Sequence, residues 1–359
     1  MAWITLCLCT GVLVLLTLLP LSRHTAWWVR VWDFPRLQLA VLLTLVIVAC
    51  LVLLDLSQPA SWLLLGVNVA CLVWQSWWIL PYTRLWRYEV CPASAGEGER
   101  LRILVANVLT SNRRSDLLLA RIREHQPDIF VTLESNAWWQ QQLDSLREDY
   151  PHSVKCPLEN LYGMHVYSRL PLCNTEVARL VEENVPSIHT EVLLPNGDSV
   201  QVHFLHPAPP SPTENDESTE RDVELLLVAK RVEGLDVPLI VTGDLNDVAW
   251  STTTRLFRKI SGLLDPRVGR GMFNTFHADH WYLRWPLDHI FHSTHFTLAS
   301  IQRLAHIGSD HFPVLVDLRY HAAEQDQQGL DADTDDRELA EQKLQAEPAS
   351  PDQVPAPAR

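Results

Sequence analysis

The chain of 359 residues lacks several signatures that would fix its class at once. It has seven cysteines but no CxxC pair, and beyond residue 90 only Cys91, Cys156 and Cys173 remain. An odd number without paired spacing demands no disulfide framework. No G-x-S-x-G elbow is present, so Ser168 and Ser309, each with a histidine nearby, do not make a serine hydrolase. Between residues 100 and 320 there are 21 basic and 28 acidic residues and no Lys/Arg run longer than a pair. That is not the electrostatic footprint of an avid nucleic-acid binder. Lysine and arginine are missing altogether from residues 2–21, 37–56 and 60–80. With no basic segment ahead of it, the first of these runs does not read as a cleavable signal peptide.

Those three runs each approach the ~20 apolar residues needed to cross a bilayer as a helix. Asp55 is their one charge, near the end of the second run where it can reach the interface. Trp27, Trp28 and Trp32 lie between the first two runs, and Trp77, Trp78, Tyr82 and Trp86 close the third, as aromatic anchors at headgroup level do. Residues 1–90 are therefore expected to form a multi-pass anchor of three transmembrane helices. Arg23, Arg30 and Arg36 flank the second run on its N-terminal side, and Arg84 and Arg87 follow the third. The positive-inside rule then places the first loop and everything after residue 80 in the cytoplasm, with the anchor in a cell inner membrane. Too few spans, without ionisable residues inside them, argue against a transporter.

Residues 93–99 (ASAGEGE) read as a linker, giving a boundary region of 91–100. Strands are expected at 101–106, 128–133, 163–168, 176–180, 188–194 and 200–205, with Asn196-Gly197 as a hairpin turn between the last two. Helices are expected at 116–125, 138–147 and 222–232. The stretch VPLIVTGDLND (237–247) reads as a doubly buried strand delivering Asp244, Asn246 and Asp247 to a loop at its C-terminal end, where open α/β sheets put chemistry. Strands at 287–291, 296–304 and 313–318 close an α+β domain spanning 101–320. Residues 321–359 carry 3 basic and 10 acidic residues with few large apolar ones, and are expected to be a disordered acidic tail.

Polar residues recur at the strand ends: Asn107, Glu134, His206, Asp244, Asn246, and Asp310 with His311. Hydrolysing a phosphate ester needs a hard divalent cation held by carboxylates, a positioned water, and donors for the phosphoryl oxygens. Carboxylates with no thiolate among them suit magnesium or manganese better than zinc. His289, His292 and His295, at steps of three on an expected strand, do not converge as zinc ligands would.

Asn107 in VANV, Glu134 in VTLES, Tyr167-Ser168-Arg169 in GMHVYSR, His206 in HFLHP, Asp244 and Asn246 in GDLN, Asp288 in LDHIF and Ser309-Asp310-His311 in GSDHFP occur in that order. In these motifs residues 101–320 resemble the endonuclease/exonuclease/phosphatase superfamily, the deoxyribonuclease-I-like fold, as a membrane-anchored bacterial-type member. The resemblance implies a four-layer α/β sandwich, two packed β-sheets flanked by helices, preceded here by three transmembrane helices. It implies Mg2+ or Mn2+ held by Glu134 and Asp310 with Asn107 close by, and Asp244 as the residue that orients or deprotonates water. Asn246, His206, Asn107 and Tyr167 would contact the phosphate. His311 would stabilise phosphoryl charge, with Asp288 fixing its ring; a rival division of labour makes His311 the base. Many nuclease members carry an acidic residue two positions beyond the first Asn, where this chain has Leu109.

The expected function is thus a membrane-anchored metal-dependent phosphoesterase of nuclease or phospholipid/inositol-phosphate type. Its partners would be a phosphoester, from nucleic acid or a phospholipid headgroup, and the bilayer, with no protein partner evident. The alternative is a catalytically silent membrane-bound scaffold on the same fold. Two features stay open at this level: HPAPPSP after His206 is a cleft rim or a stiff connector, and Trp138-Trp139 is a stacking platform or helix packing.

Overall fold

Two sheets account for the domain in the computed structural model, which describes residues 1–355 apart from 95, 97 and 324. The elements run α1 (Ala2–Leu18), α2 (Trp27–Arg30), α3 (Arg36–Leu53), α4 (Pro59–Ile79), β1 (Glu99–Asn107), α5 (Ser115–His125), β2 (Ile129–Leu133) and α6 (Ala137–Leu143). Then come β3 (His152–Cys156), β4 (Met164–Ser168), β5 (Leu172–Ala178), β6 (Ser187–Leu193), β7 (Ser199–Leu205) and α7 (Thr219–Val232). The chain closes with β8 (Leu239–Asp244), α8 (Thr252–Ser261), β9 (Asp288–His292), β10 (Phe296–Arg303), β11 (Val314–Tyr320) and α9 (Thr334–Leu344). One sheet has the order β10-β11-β1-β2-β4-β3 and the other β5-β6-β7-β8-β9.

Strand alternation builds the layers. Leu101, Ile103 and Val105 of β1, Val166 of β4, Val202 and Phe204 of β7, Ile240 of β8 and Ile290 of β9 meet in the core between the sheets. The opposite parity faces helices. Leu104, Phe130 and Tyr167 pack against Leu118 and Ile122 of α5 and Trp139 of α6, while Leu205, Val241 and Phe291 pack against α7 and α8. Burial on both faces explains why these strands read as continuous apolar runs. The result is the expected sandwich of two sheets between helical layers.

Several local expectations change. The strand expected at 176–180 begins earlier, at Leu172, and β3 and α8 had no sequence signal. The helix at 138–147 tightens to a 3-10 turn over Asp144–Leu146. The boundary region is not a free linker throughout: Ala93 N–H donates to the Leu298 carbonyl at 2.8 Å, and residues 99 and 100 already belong to β1. Its positions 95 and 97 lie outside the described residues, as do 324 and 356–359 of the tail. Among the described residues of the tail, Thr334–Leu344 is helical. Asp333 and Asp336 form a capping box that starts α9, and Leu339, Ala340 and Leu344 pack on the α7–α8 layer. Lys343 donates to Asp222 at 2.7 Å and Lys259 to Asp336 at 2.5 Å. A few apolar residues at helical spacing suffice once a partner face exists.

Three helical segments, Ala2–Ser22, Arg36–Leu53 and Pro59–Tyr82, are long and apolar enough to cross a membrane. They pack together around polar contacts. Asn68 donates to Thr10 at 2.8 Å and Gln75 to Thr17 at 3.0 Å, both buried inside the bundle. The loop joining α1 to α3 rests on the domain: Trp27 N–H donates to the Asp216 carbonyl at 2.9 Å, and Trp250 Nε1–H to the Asp33 carbonyl at 2.8 Å.

Candidate active site

Parity brings the strand-end residues together. Asn107 continues the inward phase of Leu101, Ile103 and Val105, and Asp244 continues that of Ile240 and Thr242, so the two face each other across the sandwich. Asn107 Nδ2 donates to Asp244 Oδ2 at 3.1 Å and to Glu134 Oε1 at 2.7 Å, joining carboxylates from both sheets. Its Oδ1 accepts from Leu109 N–H at 3.2 Å. His206 and Asp288 likewise take the inward phase of β7 and β9. Glu134 would point the wrong way after Leu133; a left-handed backbone with φ 56° breaks the alternation and turns its carboxylate to the site.

Gly243 makes the crowding possible. It pairs with Leu205 across the parallel β7–β8 ladder, and a Cβ there would lie 1.9 Å from the Leu205 carbonyl oxygen, at a φ of 145°. Asn246 also has a left-handed backbone, φ 51°, which returns its N–H to Asp244 Oδ1 at 3.0 Å; its Nδ2 donates to the Pro207 carbonyl at 2.9 Å.

Asp244, Asp288 and His311 bring ligand-type atoms within 4.8 Å of one another. His311 Nδ1 is 2.8 Å from Asp288 Oδ2, and its Nε2 is 3.4 Å from Asp244 Oδ2. Burial alone would favour neutral imidazole, but the two carboxylates outweigh it and lift His311 to about 10. The ring is an imidazolium at neutral pH. Burial opposes ionisation of Asp244 too, yet the His311 cation beside it holds its carboxyl below the ordinary range. His206, with Nε2 4.0 Å from Asp244 Oδ2, is pushed down to about 4 by burial and is neutral.

Glu134 lies on the other side of Asn107. Burial first, and the Asp310 carboxylate as well, push it up to about 7. Its Oε2 is buried without a hydrogen-bond partner. A buried unpaired carboxylate oxygen next to a second carboxylate is a poor arrangement for the protein alone and a suitable one for a hard divalent cation. The His311 imidazolium, by contrast, already fills the space between Asp244 and Asp288. Glu134 and Asp310 are the residues that could hold a cation.

Tyr167 does not join the site. Its parity sends it outward, where it stacks on Phe130 with centroids 5.0 Å apart and donates to Asp144 Oδ1 at 2.8 Å. Trp139 is likewise core of the outer layer, with Trp138 packed edge-on against it. Asp247 accepts from Ser251 Oγ at 2.5 Å and supports the start of α8. The proline stretch forms a rim: Pro209, Pro210 and Pro212 line the cleft above Asn246 and His311. Sequence reading missed Thr275, whose Oγ1 accepts from Asp288 N–H at 3.2 Å, and Tyr162, whose ring lies 5.3 Å from that of His206.

The family model of the endonuclease/exonuclease/phosphatase family matches residues 104–311, more than half of the chain. The chain belongs to the endonuclease/exonuclease/phosphatase family. Solved structures agree on the fold. An endonuclease/exonuclease/phosphatase from Beutenbergia cavernae DSM 12333 is 19% identical with a TM-score of 0.52, over 63% of this chain and 72% of that one. A family protein from Bacteroides vulgatus is 16% identical, TM-score 0.51, over 62% and 99%. TDP2 from D. rerio, complexed with single-strand DNA product, is 16% identical, TM-score 0.50, over 61% and 99%. At such identities the likeness to other endonuclease/exonuclease/phosphatase structures is one of fold. No curated protein matches the sequence. Phosphoester hydrolysis is the chemistry that the family's name denotes, and the site residues above all lie within or beside the matched span.

Proposed function

We propose that the protein is a membrane-anchored, divalent-metal-dependent phosphoesterase that hydrolyses a phosphate mono- or diester by in-line attack of water. The observation that carries this reading is the meeting of Asp244, Asn107 and the His311–Asp288 pair at the ends of strands from both sheets, with the unpaired Glu134 oxygen beside them. Asp244, kept ionised and adjacent to an imidazolium, accepts the proton of the attacking water. His311, kept cationic by Asp288, faces the phosphoryl group and stabilises charge that develops on it. Neutral His206 and the Asn246 amide hold phosphate oxygens; Asn107, expected to join them, has both N–H groups given to Glu134 and Asp244 and orders those carboxylates instead. Glu134 and Asp310 would hold Mg2+ or Mn2+, which when bound would supply Lewis-acid stabilisation of the phosphoryl oxygens. A deprotonated Asp244 beside a cationic His311 favours Asp244 over His311 as the base.

Supporting the anchor are the three long apolar helices and the polar contacts hidden inside their bundle. The domain would stand in the cytoplasm, on the side of the Arg23, Arg30 and Arg36 loop.

The test uses the full chain in detergent with Mg2+ or Mn2+, against phosphomonoesters and phosphodiesters, beside Asp244→Ala and His311→Ala. Turnover that requires the cation and is lost in both variants is the expected result. Turnover undiminished by chelator, or retained in Asp244→Ala, overturns the mechanism.

A further inference from the structure

The cleft above His311 is walled in part by the anchor. It is a cavity of ≈ 690 Å³ whose polar floor holds Glu134, His206, Asn246, Asp310 and His311. Trp27, Val31, Trp32 and Phe34, from the loop joining α1 to α3, form one apolar wall. Phe276, Leu283, Trp285 and Leu287 from the domain form the other, with Phe34 and Trp285 in edge-to-face contact at 5.6 Å. The loop is thus part of the cleft as well as a tether.

Two further observations say what enters. Among the described residues Arg30 is the one lysine or arginine lining the cleft, and its guanidinium is already bonded to the carbonyls of Pro20 and His24 and lies 3.5 Å from Asp33. Successive phosphates of a polynucleotide would find no cationic track. The rim also lies at the level of the apolar helices. Gln38, in the first turn of α3, donates to the Tyr282 carbonyl at 2.9 Å, and beside it Trp281 and Tyr282 are 78% and 54% exposed. Exposed Trp and Tyr next to the end of a spanning helix belong at the headgroup layer. Leu283, the next residue, already lines the cleft.

We infer that the substrate is a phosphoester carrying a hydrocarbon chain, taken from the bilayer, with its phosphoryl group at Asp244 and His311 and the first part of its chain between Trp32, Phe34, Leu283 and Trp285. This rests on the phosphoesterase reading and narrows it to lipid substrates. The reaction is unchanged: water oxygen bonds to phosphorus, the ester P–O bond breaks, and the leaving oxygen takes the proton that the water gave up.

The experiment uses the full chain in nonionic detergent micelles with Mg2+ and with Mn2+. Dioleoyl and dihexanoyl forms of phosphatidate and of phosphatidylglycerol are compared at equal mole fraction, with a single-stranded oligonucleotide as a further arm. Wild type should favour the dioleoyl form by at least ~10-fold in kcat/KM, since each buried methylene adds to binding. The Trp32→Ser/Leu283→Ser variant should bring that ratio towards one. Equal turnover of both chain lengths, or preference for the oligonucleotide, leaves hydrolysis standing and overturns the lipid assignment. If no ester is turned over, the hydrolase reading fails, and native mass spectrometry with dioleoyl phosphatidate decides the rest. A lipid held by wild type and lost from the double variant supports the binding site; equal occupancy in the two overturns it.

Discussion

Asn107 offers the sharpest test of the site, because aspartate copies its shape while reversing what its nitrogen does. In Asn107→Asp the acceptor to Leu109 N–H is kept, but both donations, to Glu134 at 2.7 Å and Asp244 at 3.1 Å, are lost. Hydrogen bonds to charged groups contribute about 1.5–3 kcal/mol each, so the two together set a loss of about 3–6 kcal/mol. Part of this is recovered when Glu134, already pushed up to about 7, takes a proton. What remains affects ground state and transition state alike where it only destabilises the fold, and affects turnover where it misplaces Asp244. At about 1.4 kcal/mol per tenfold, the whole loss would set a ceiling of ~10²–10⁴ on the fall in kcat/KM, and a fall of at least ~10-fold is expected. Thermal unfolding in chelator should show a lower midpoint than wild type. Added Mg2+ should raise that midpoint more in the variant, because a third carboxylate favours the cation. Turnover within threefold of wild type would refute the placing of Asn107 between the two carboxylates; a midpoint raised less by Mg2+ than in wild type would refute the cation site at Glu134.

Gly243→Ala puts a Cβ 1.9 Å from the Leu205 carbonyl, so β7 and β8 must part; a loss of about 3 kcal/mol or more in stability is expected, and turnover should fall further because His206 and Asp244 are the next residues on those strands. Tyr167→Phe removes only the hydrogen bond to Asp144, and should cost about 1 kcal/mol in denaturation with turnover within twofold of wild type; a large loss of turnover would return Tyr167 to the site. Glu224, buried in α7 with Oε1 unpaired, is pushed up to about 8 by burial first and by Glu182 second. Its folded state therefore keeps a proton that the unfolded chain loses, so this residue's contribution falls as pH rises from about 4.5 to about 8. Glu224→Gln cannot ionise, and should gain about 3 kcal/mol on wild type between pH 4.5 and pH 7 in unfolding followed by tryptophan fluorescence; parallel pH profiles would refute the burial argument.

Part of the site was legible because its residues stand at or just past a strand end in the inward phase. Asn107, His206, Asp244 and Asp288 all follow from alternation once the strands are placed. Tyr167 misled for the same reason in reverse: β4 is buried on both faces, so composition does not tell Val166 from Tyr167, and only the helical layer of α5 and α6 selects the outward one. Glu134 was found by its place at a strand end and by its motif, while the left-handed backbone that aims it leaves no periodic trace. α9 was hidden by its own acidity. Its partner face on α7 and α8 lies about a hundred residues away, and an average over composition cannot register three apolar residues matched to a distant groove.

The aromatic residues between the first two apolar runs show the limit most clearly. As sequence they are headgroup anchors, and Trp28, 51% exposed, is free to serve as one. Yet Trp27, Trp32 and Phe34 turn to the cleft, and Asp33 meets Trp250 in the domain. Those contacts hold the α1–α3 loop against the domain; in the proposed anchor they would put both on one side of the membrane, the pairing that the arginine count also favours. Tyr82, just past α4, donates to the Ala249 carbonyl at 2.7 Å and fixes the third helix to the same face. An anchor of three spans with one short outer turn would satisfy all of these contacts at once. Cutting the chain at residue 90 would therefore remove one wall of the cleft and uncover Trp250, Phe276 and Trp285. Activity of the detached domain measures the polar floor alone, and substrate selection has to be read on the whole chain.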